Sequence, residues 1–416
     1  MKRLSALILS IVLAAVMLAG CAIDKGGNEP KATGGSGTND VQKPYSPGAA
    51  QPLSIDVSGK NFDRALLDYM GGYAADENFA LSPLSFLYAL GMLYEGCAGE
   101  TKAELKNALV SLGIDDLTGY LEEFNRVAED IAAAGQRFKD EAGNDILNLE
   151  LANSVWKREN IAEEFKKAYK EAIALYGAEY YSFNRDNVIG LVNEWADKKT
   201  HGLIPRLLPD NYDTSDLAVI LMNALYLKDA WSDEFTEVPQ IDFKAKDGTV
   251  VKKDAIQATE SFGYYEDNET VIIVVRMLRG LEYVIVQGST DGLDEKMSRV
   301  NYEGIKLTMP VFEIETSWMN HEFENLLSAA GVNLIFTDGA DFTAMIDHEM
   351  AVSDIVQKVK ISVNKEGIEA AAVTAIMVND GAIYFDEIRE VVVDEPFTFF
   401  VETSGGVVLF EGQLVK

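Results

Sequence analysis

A chain of 416 residues with 48% hydrophobic side chains can bury one large core or two ordinary ones. Its formal charge of −31 argues against nucleic acid and anionic membrane surfaces as partners, because their phosphates would repel it. Two cysteines, Cys21 and Cys97, cannot build a disulfide framework, and the three histidines, His201, His321 and His348, stand too far apart for a metal-ligand motif. There is no Gly-Lys-Ser/Thr phosphate loop, no dinucleotide Gly fingerprint and no Gly-x-Ser-x-Gly elbow, so no cofactor, metal or hydrolytic triad is expected.

The chain starts on Met1-Lys2-Arg3 and continues with an apolar run over residues 4–18, interrupted by Ser5 and Ser10. The run is too short for a stable membrane span and reads as a secretory signal over residues 1–20. It ends on Leu18-Ala19-Gly20-Cys21, which resembles the lipobox of bacterial lipoproteins. That resemblance implies a lipidated Cys21 as the mature N-terminus, and an extracytoplasmic protein held to a bacterial membrane (cell surface or periplasm) by acyl chains. Residues 21–53 are rich in Gly, Pro and Ser and read as a flexible tether. Residues 54–416 are the folded body.

Phe62, Leu66, Tyr69 and Met70 lie at helical spacing behind Ser58 and Asn61, either of which suits a cap. Ser82-Pro83 reads as a cap and first turn, and the apolar run 86–94 as a buried helix that ends by Gly96. Thr101 and Glu104 have the spacing of a capping box for the next helix. Further helical patterns run from Leu117 to a stop by Gly135, and over 163–176 and 187–199. After about residue 215 the texture turns to strand: 217–227, broken by Asn223, then 271–275, 283–287 and 305–314. One helix intervenes at 319–330. Strands return at 356–363, 390–393, 397–402 and 407–414, with Gly405-Gly406 as a hairpin turn. Helices first and strands later describe an α+β domain.

One stretch admits two readings. In Gly367-Ile368-Glu369-Ala370-Ala371-Ala372-Val373-Thr374, alanine favours helix on propensity alone. Its period favours strand: Ile368, Ala370, Ala372, Thr374, Ile376 and Val378 carry no charge, while the alternate set carries Glu369.

The landmarks resemble the serpin family over nearly the whole body. They are Asn78-Phe79-Ala80-Leu81-Ser82-Pro83-Leu84-Ser85, running on through Ala89-Leu90-Gly91-Met92 to Gly96 and Gly99-Glu100-Thr101. Then come Val192-Asn193-Glu194-Trp195 with Thr200-His201-Gly202-Leu203-Ile204, and Met222-Asn223-Ala224-Leu225-Tyr226-Leu227-Lys228 with Trp231 and Phe235. Ala340-Asp341-Phe342-Thr343, Asp394-Glu395-Pro396-Phe397 and Leu409-Phe410-Glu411-Gly412 complete the order. The resemblance implies a fold with about three β-sheets, about eight to nine helices and an exposed reactive-centre loop near 365–393. It implies a monomer that is no enzyme but a suicide-substrate inhibitor of serine, and in some members cysteine, endopeptidases. The protease cuts the loop, and the cut loop enters the main sheet as a strand with the acyl-linked protease attached.

By the same resemblance Lys365, Glu366, Gly367, Ile368, Glu369, Ala370, Ala371, Ala372, Val373 and Thr374 form the hinge. Ser82, Ser85, Asn223, Trp231 and Gln357 form the sheet-opening region. The chain departs from the family pattern at Ile368, usually Thr or Ser, at Lys365, usually acidic, and at Gln357, often His. The family's spacing from the hinge glycine puts the reactive bond at Gly381-Ala382, within a window of Asn379, Asp380, Ile383, Tyr384 and Phe385. Those residues suit elastase-, subtilisin- or chymotrypsin-like proteases better than trypsin-like ones. Two alternatives stand beside this reading: a serpin-fold binding protein that does not inhibit, and a solute-binding lipoprotein.

Overall fold

The computed structural model describes residues 62–117, 119, 122, 125, 148–368 and 387–416, except 216, 279, 320 and 354. The signal, the tether, Ser58, Asn61, most of the helix expected after Leu117 and residues 369–386 lie outside them. The chain opens with α1 (Phe62–Tyr73), β1 (Phe79–Leu81), α2 (Pro83–Gly96) and α3 (Gly99–Ser111). Ser82 caps α2 by accepting the Ser85 N–H at 3.2 Å, with Pro83 in the first turn, where its missing N–H costs nothing. Nearly every side of α2 is buried, which its apolar run requires. Cys97 follows it as an inert core residue, its thiol pushed up to about 12 by burial.

The capping box at Thr101 and Glu104 does not form, because α3 begins earlier, at Gly99 behind Ala98. Both side chains serve tertiary contacts instead. Thr101 Oγ1 accepts from the Asp341 N–H at 2.9 Å, and Glu104 Oε2 accepts from the N–H groups of Asn333 and Leu334 at 2.8 and 2.7 Å.

Next come β2 (Asn148–Arg158), α4 (Lys167–Ile173), β3 (Ala178–Phe183), α5 (Val188–Lys199) and β4 (Val219–Ala230). Then β5 (Thr236–Lys244), β6 (Val250–Glu266), β7 (Thr270–Arg276), β8 (Leu281–Gly288), α6 (Leu293–Met297), β9 (Asn301–Pro310), β10 (Phe312–Trp318) and α7 (Glu322–Ala329). The chain ends with β11 (Gln357–Val363), β12 (Gly367–Ile368), β13 (Arg389–Val392), β14 (Phe397–Thr403) and β15 (Val408–Leu414). The expected helix at 163–176 is shorter than its pattern, and the expected strand 305–314 is two strands that part at Val311. The strands β1, β2, β3, β5 and β6 were not expected.

The strands form two sheets. One runs β10-β11-β12-β4-β2-β3; the other runs β1-β15-β14-β8-β7-β6-β9-β13, with β5 on β6. The expectation of about three sheets yields to the 17-residue β6, which fuses two of them. Its end pairs with β7, its middle with β9 and its start with β5. Seven α-helices lie among the described residues. On the outer face of the six-stranded sheet, Lys358 and Lys360 of β11 pair with Glu315 and Glu313 of β10, at 2.7 and 3.1 Å.

Two carboxyl groups are buried where β14 and β15 pack under α1, on the face where Arg64 lies over Phe400. Glu411 on β15 is fully buried, and neither of its oxygens has a hydrogen-bond partner. Burial pushes its carboxyl well above the usual range, and the nearby Asp63 carboxylate adds to this, against the pull of Arg64. Glu402 on β14 is held at about 7, chiefly by burial, again against Arg64. With its folded-state pKa raised from 4.5 to about 7, the contribution of Glu402 to stability is greatest below pH 4.5, falls as pH rises and levels off above 7. The loss is worth ~3 kcal/mol at about 1.4 kcal/mol per pKa unit. Glu402→Gln is therefore expected to gain stability over the parent chain at pH 8 and little at pH 4.5, as read by urea unfolding at both values.

Candidate functional site

The most unusual feature of the six-stranded sheet is its middle. β11 pairs with β10 along its whole length, and β4 pairs with β2. Between β11 and β4 the only ladder among the described residues is the two-residue β12, with Ile368 opposite Val363 on one side and Asp229 on the other. β12 is antiparallel to both neighbours, so β4 and β11 run parallel, and below Ile368 their facing backbone edges have no strand partner among the described residues.

A short turn delivers Gly367 and Ile368 into this slot. Asn364 Oδ1 accepts from the N–H groups of Glu366 and Gly367 at 2.9 and 3.2 Å, an Asx-type turn that bends the chain back beside β11. Trp231, at the end of β4, grips the same turn: its Nε1 donates to Asn364 O at 2.8 Å and its backbone N–H to Glu366 O at 3.1 Å. Its ring packs on Tyr283 and Phe235 at 5.6 and 5.7 Å. Gly367 has φ +149°, and a Cβ there would lie 2.1 Å from Asp229 O. Only glycine lets the two backbones come this close. Ile368 is 2% exposed, so the bulky residue at this position is fully housed in the core. Lys365 forms an ion pair with Glu237 of β5 at 2.9 Å, and that carboxylate raises the Lys365 pKa.

A polar seam crosses the slot lower down. The Gln357 side chain bonds both backbone groups of Ser82: Oε1 accepts the Ser82 N–H at 2.9 Å, and Nε2 donates to Ser82 O at 2.8 Å. Ser82 Oγ donates to Leu409 O at 2.7 Å, tying the seam to the second sheet. Asn153 Nδ2 donates to Tyr176 O at 2.7 Å, which turns its Oδ1 toward Asn223, and Asn223 Nδ2 donates to that oxygen at 2.7 Å. The chain of donors leaves Asn223 Oδ1 without a hydrogen-bond partner, although it is shut off from solvent. Below the seam lies an apolar cavity of about 110 Å³ between α2, β4 and the segment before β11, with Phe86, Leu90, Leu221 and Met345 in its walls.

Ser82, Ser85, Asn223 and Gln357 thus line one region, around a smaller cavity of about 20 Å³. Trp231 stands apart from them, with the hinge. Gly367 and Ile368 lie in the slot and Lys365 and Glu366 in the turn before it, while hinge positions 369–374 and the reactive-bond window 379–385 lie outside the described residues. Sequence reading missed three partners: Asn364, Asn153 and Glu237. Asn364 was legible as an Asx turn three residues before a glycine; the other two sit on strands that were not expected. Replacing Gln357 by Ala removes two bonds to a buried backbone and is expected to destabilise the fold by ~1–3 kcal/mol in urea unfolding.

The profile of the family described as Serpin (serine protease inhibitor) matches residues 59–416. The chain is 31% identical to Serpin B10 of Otolemur garnettii over 404 residues, covering 87% of this chain and 98% of that one. It is 28% identical to an uncharacterized serpin-like protein of Pyrobaculum aerophilum, over 88% of this chain and 96% of the relative. Among solved structures, the thermophilic serpin tengpin in its native state superposes with a TM-score of 0.68 at 22% identity, covering 91% and 98% of the two chains. Family profile, relatives and fold agree, and the chain belongs to the serpin family.

Proposed function

We propose that this chain is a suicide-substrate inhibitor of serine endopeptidases, and of cysteine endopeptidases by the same loop, that traps its target by adding the cleaved loop to the open sheet as a strand. The observation that carries this reading is the register of Ile368. Continued from the Ile368–Asp229 pair, it opposes Ala370 to Leu227, Ala372 to Leu225, Thr374 to Asn223, Ile376 to Leu221 and Val378 to Val219, the first residue of β4. Continued from the Ile368–Val363 pair, it opposes Ala370 to Ile361, Ala372 to Val359 and Thr374 to Gln357.

The chemistry matches at every step. Two alanines meet buried Leu, Ile and Val; the hydroxyl of Thr374 meets the polar seam, where Asn223 Oδ1 lacks a donor; Ile376 and Val378 meet the walls of the apolar cavity. Each apolar side chain that enters is favoured by roughly 25 cal/mol per Å² buried, and the backbone gains ladders on both sides. The ladder with β4 stops at Val378 because β4 starts at Val219, which leaves the expected reactive bond, Gly381-Ala382, just beyond it.

No Arg or Lys lies between Lys365 and Arg389, so the targets are elastase-, subtilisin- or chymotrypsin-like rather than trypsin-like. The leader and Cys21 support a lipid anchor outside the cytoplasm of a bacterium, with the tether holding the loop away from the membrane. The test is incubation with one protease of each class, followed by denaturing gels and mass spectrometry. A covalent complex and a released C-terminal fragment starting near Ala382 are expected; cleavage by all three without any complex overturns the reading.

A further inference from the structure

Helix α1 meets the sheet beneath it across a face that carries more negative than positive charge. On the sheet side the register gathers three carboxyl groups. Glu411 of β15 is directly opposite Phe400 of β14, Glu402 lies two residues further along β14, and Glu282 of β8 is directly opposite Glu402. Arg64 of α1 lies over the Phe400 ring at 3.9 Å, which makes this the face that α1 covers. The Asp63 and Asp68 carboxylates of α1 act on Glu411, and Asp294 of α6 acts on Glu402 and Asp63. The other charges of α6 are turned elsewhere, Glu295 to Arg299 and Lys296 to Asp267. β1 and α2 also pack on β15 and bring it no charge: β1 has no ionisable residue, and Glu95, the one charged residue of α2, faces Lys102 at 3.9 Å. Arg64 is thus the one cation acting on this cluster among the described residues, and it is bonded to neither buried carboxyl. Its Nη1 stands 3.6 Å from Asp63, and its Nε and Nη1, like both oxygens of Glu411, are shut off from solvent without a hydrogen-bond partner among the described residues. A proton is the ligand that such a closed place can take. A neutral carboxyl group sits there at modest cost, whereas a carboxylate without a bonded partner does not.

We propose that Glu411 and Glu402 form a proton-operated latch: with both carboxyls protonated α1 is docked on β14 and β15, and loss of their protons releases α1 from the sheet before the rest of the fold opens. Both groups hold a proton more tightly when docked than when freed, chiefly through burial and against the pull of Arg64, so docking is favoured in acid and weakens as pH rises. With Glu402 held at about 7 when docked and near 4.5 when freed, opening becomes about tenfold easier between pH 6 and 8 from this residue alone. Glu411, pushed well above the usual carboxylate range, adds to the effect. Release also takes Phe62 off its stack on Phe86 of α2, now at 5.9 Å between ring centres, so the back of α2 loses cover. The latch stands independently of the inhibitor reading.

The test is hydrogen–deuterium exchange of the full chain at pH 6 and pH 8, read by peptide mass and expressed as protection factors, which remove the intrinsic effect of pH. Residues 62–73 are expected to be less protected than β14 and to lose protection about tenfold or more from pH 6 to pH 8. Helix α5, which lies apart from the cluster, is expected to keep its protection within about threefold. Glu402→Gln combined with Glu411→Gln keeps both shapes without the charge, and is expected to hold the protection of α1 level at the two pH values. Equal protection of α1 at both pH values in the parent chain overturns the latch, and that comparison decides even where the double variant fails to fold. So does an equal fall in α5. Exchange of α1 only together with β14, at the same protection, overturns the local release. A double variant that loses α1 protection as the parent does overturns the assignment to these two carboxyls.

Discussion

Gly367→Val is expected to expel Ile368 from the sheet. The added Cβ falls 2.1 Å from Asp229 O and 2.7 Å from Ala230 Cα, both backbone atoms that cannot swing aside, and φ +149° is strained for any residue with a side chain. Strain of that kind costs ~1–3 kcal/mol, and expulsion also uncovers Ile368, which is 2% exposed in the fold. The expected readout is faster proteolysis between Asn364 and Ile368 and a lower melting temperature. The functional consequence is larger than the loss of stability: without the pairs to Val363 and Asp229, nothing sets the register in which the following residues enter. The number of inhibitor molecules consumed per protease trapped is expected to rise at least tenfold.

Ala372→Asp is expected to produce the cleanest separation of cleavage from trapping. On the proposed mechanism, continuing the register of Ile368 sets residue 372 opposite Leu225 on β4 and Val359 on β11, both buried. An aspartate at that depth must either lose its charge or hold the strand out, and burial of an unpaired carboxylate is costly enough to stop insertion. On the proposed mechanism residue 372 enters the sheet only after cleavage, so the urea unfolding of the uncleaved variant is expected to match the parent. The protease still cuts the loop, but the acyl-enzyme hydrolyses before the strand closes. Ala372→Val, apolar and strand-favouring, is the control and is expected to keep trapping; equal trapping by the Asp variant would break the link between strand entry and inhibition.

The hinge shows what the sequence carries and what it does not. That Ile368 turns an uncharged side chain into a sheet was legible from its period, because a strand must show one face to a core; the alternation beyond it falls outside the described residues. Ile368 read as a bulky departure from the family pattern, yet it sits in the core with Val363 and Trp231 in the same hydrophobic cluster. Ser82 and Gln357 were legible as neighbours only through the family resemblance, since 275 residues separate them and no local rule pairs an amide with a distant helix cap. The capping box at Thr101 and Glu104 misled for the same reason. Local spacing fitted, but distant backbone groups at Asp341, Asn333 and Leu334 claimed both side chains.

The unexpected strands fail the alternation rule for physical reasons. β2 is covered on both faces over Asn153–Lys157, so its pattern shows no period. β3 is an edge strand with Tyr180 and Tyr181 both exposed on opposite faces, and without its partner it reads as an exposed turn. β6 changes neighbours along its length, and so changes which face is buried. Glu237 went unseen because β5 pairs only with β6, and the Lys365–Glu237 contact exists only once both strands are in place.

The most direct measurement is the melting temperature of the body before and after a single cut in the loop. If residues 370–378 fill the slot between β4 and β11, the cut chain gains two ladders and closes the apolar cavity, and its melting temperature rises, by ~1–2 °C for each kcal/mol gained in a body of this size. A cut chain that melts at the same temperature as the intact one, with the cut confirmed by mass, would mean that the loop stays outside the sheet and that the slot serves some other purpose.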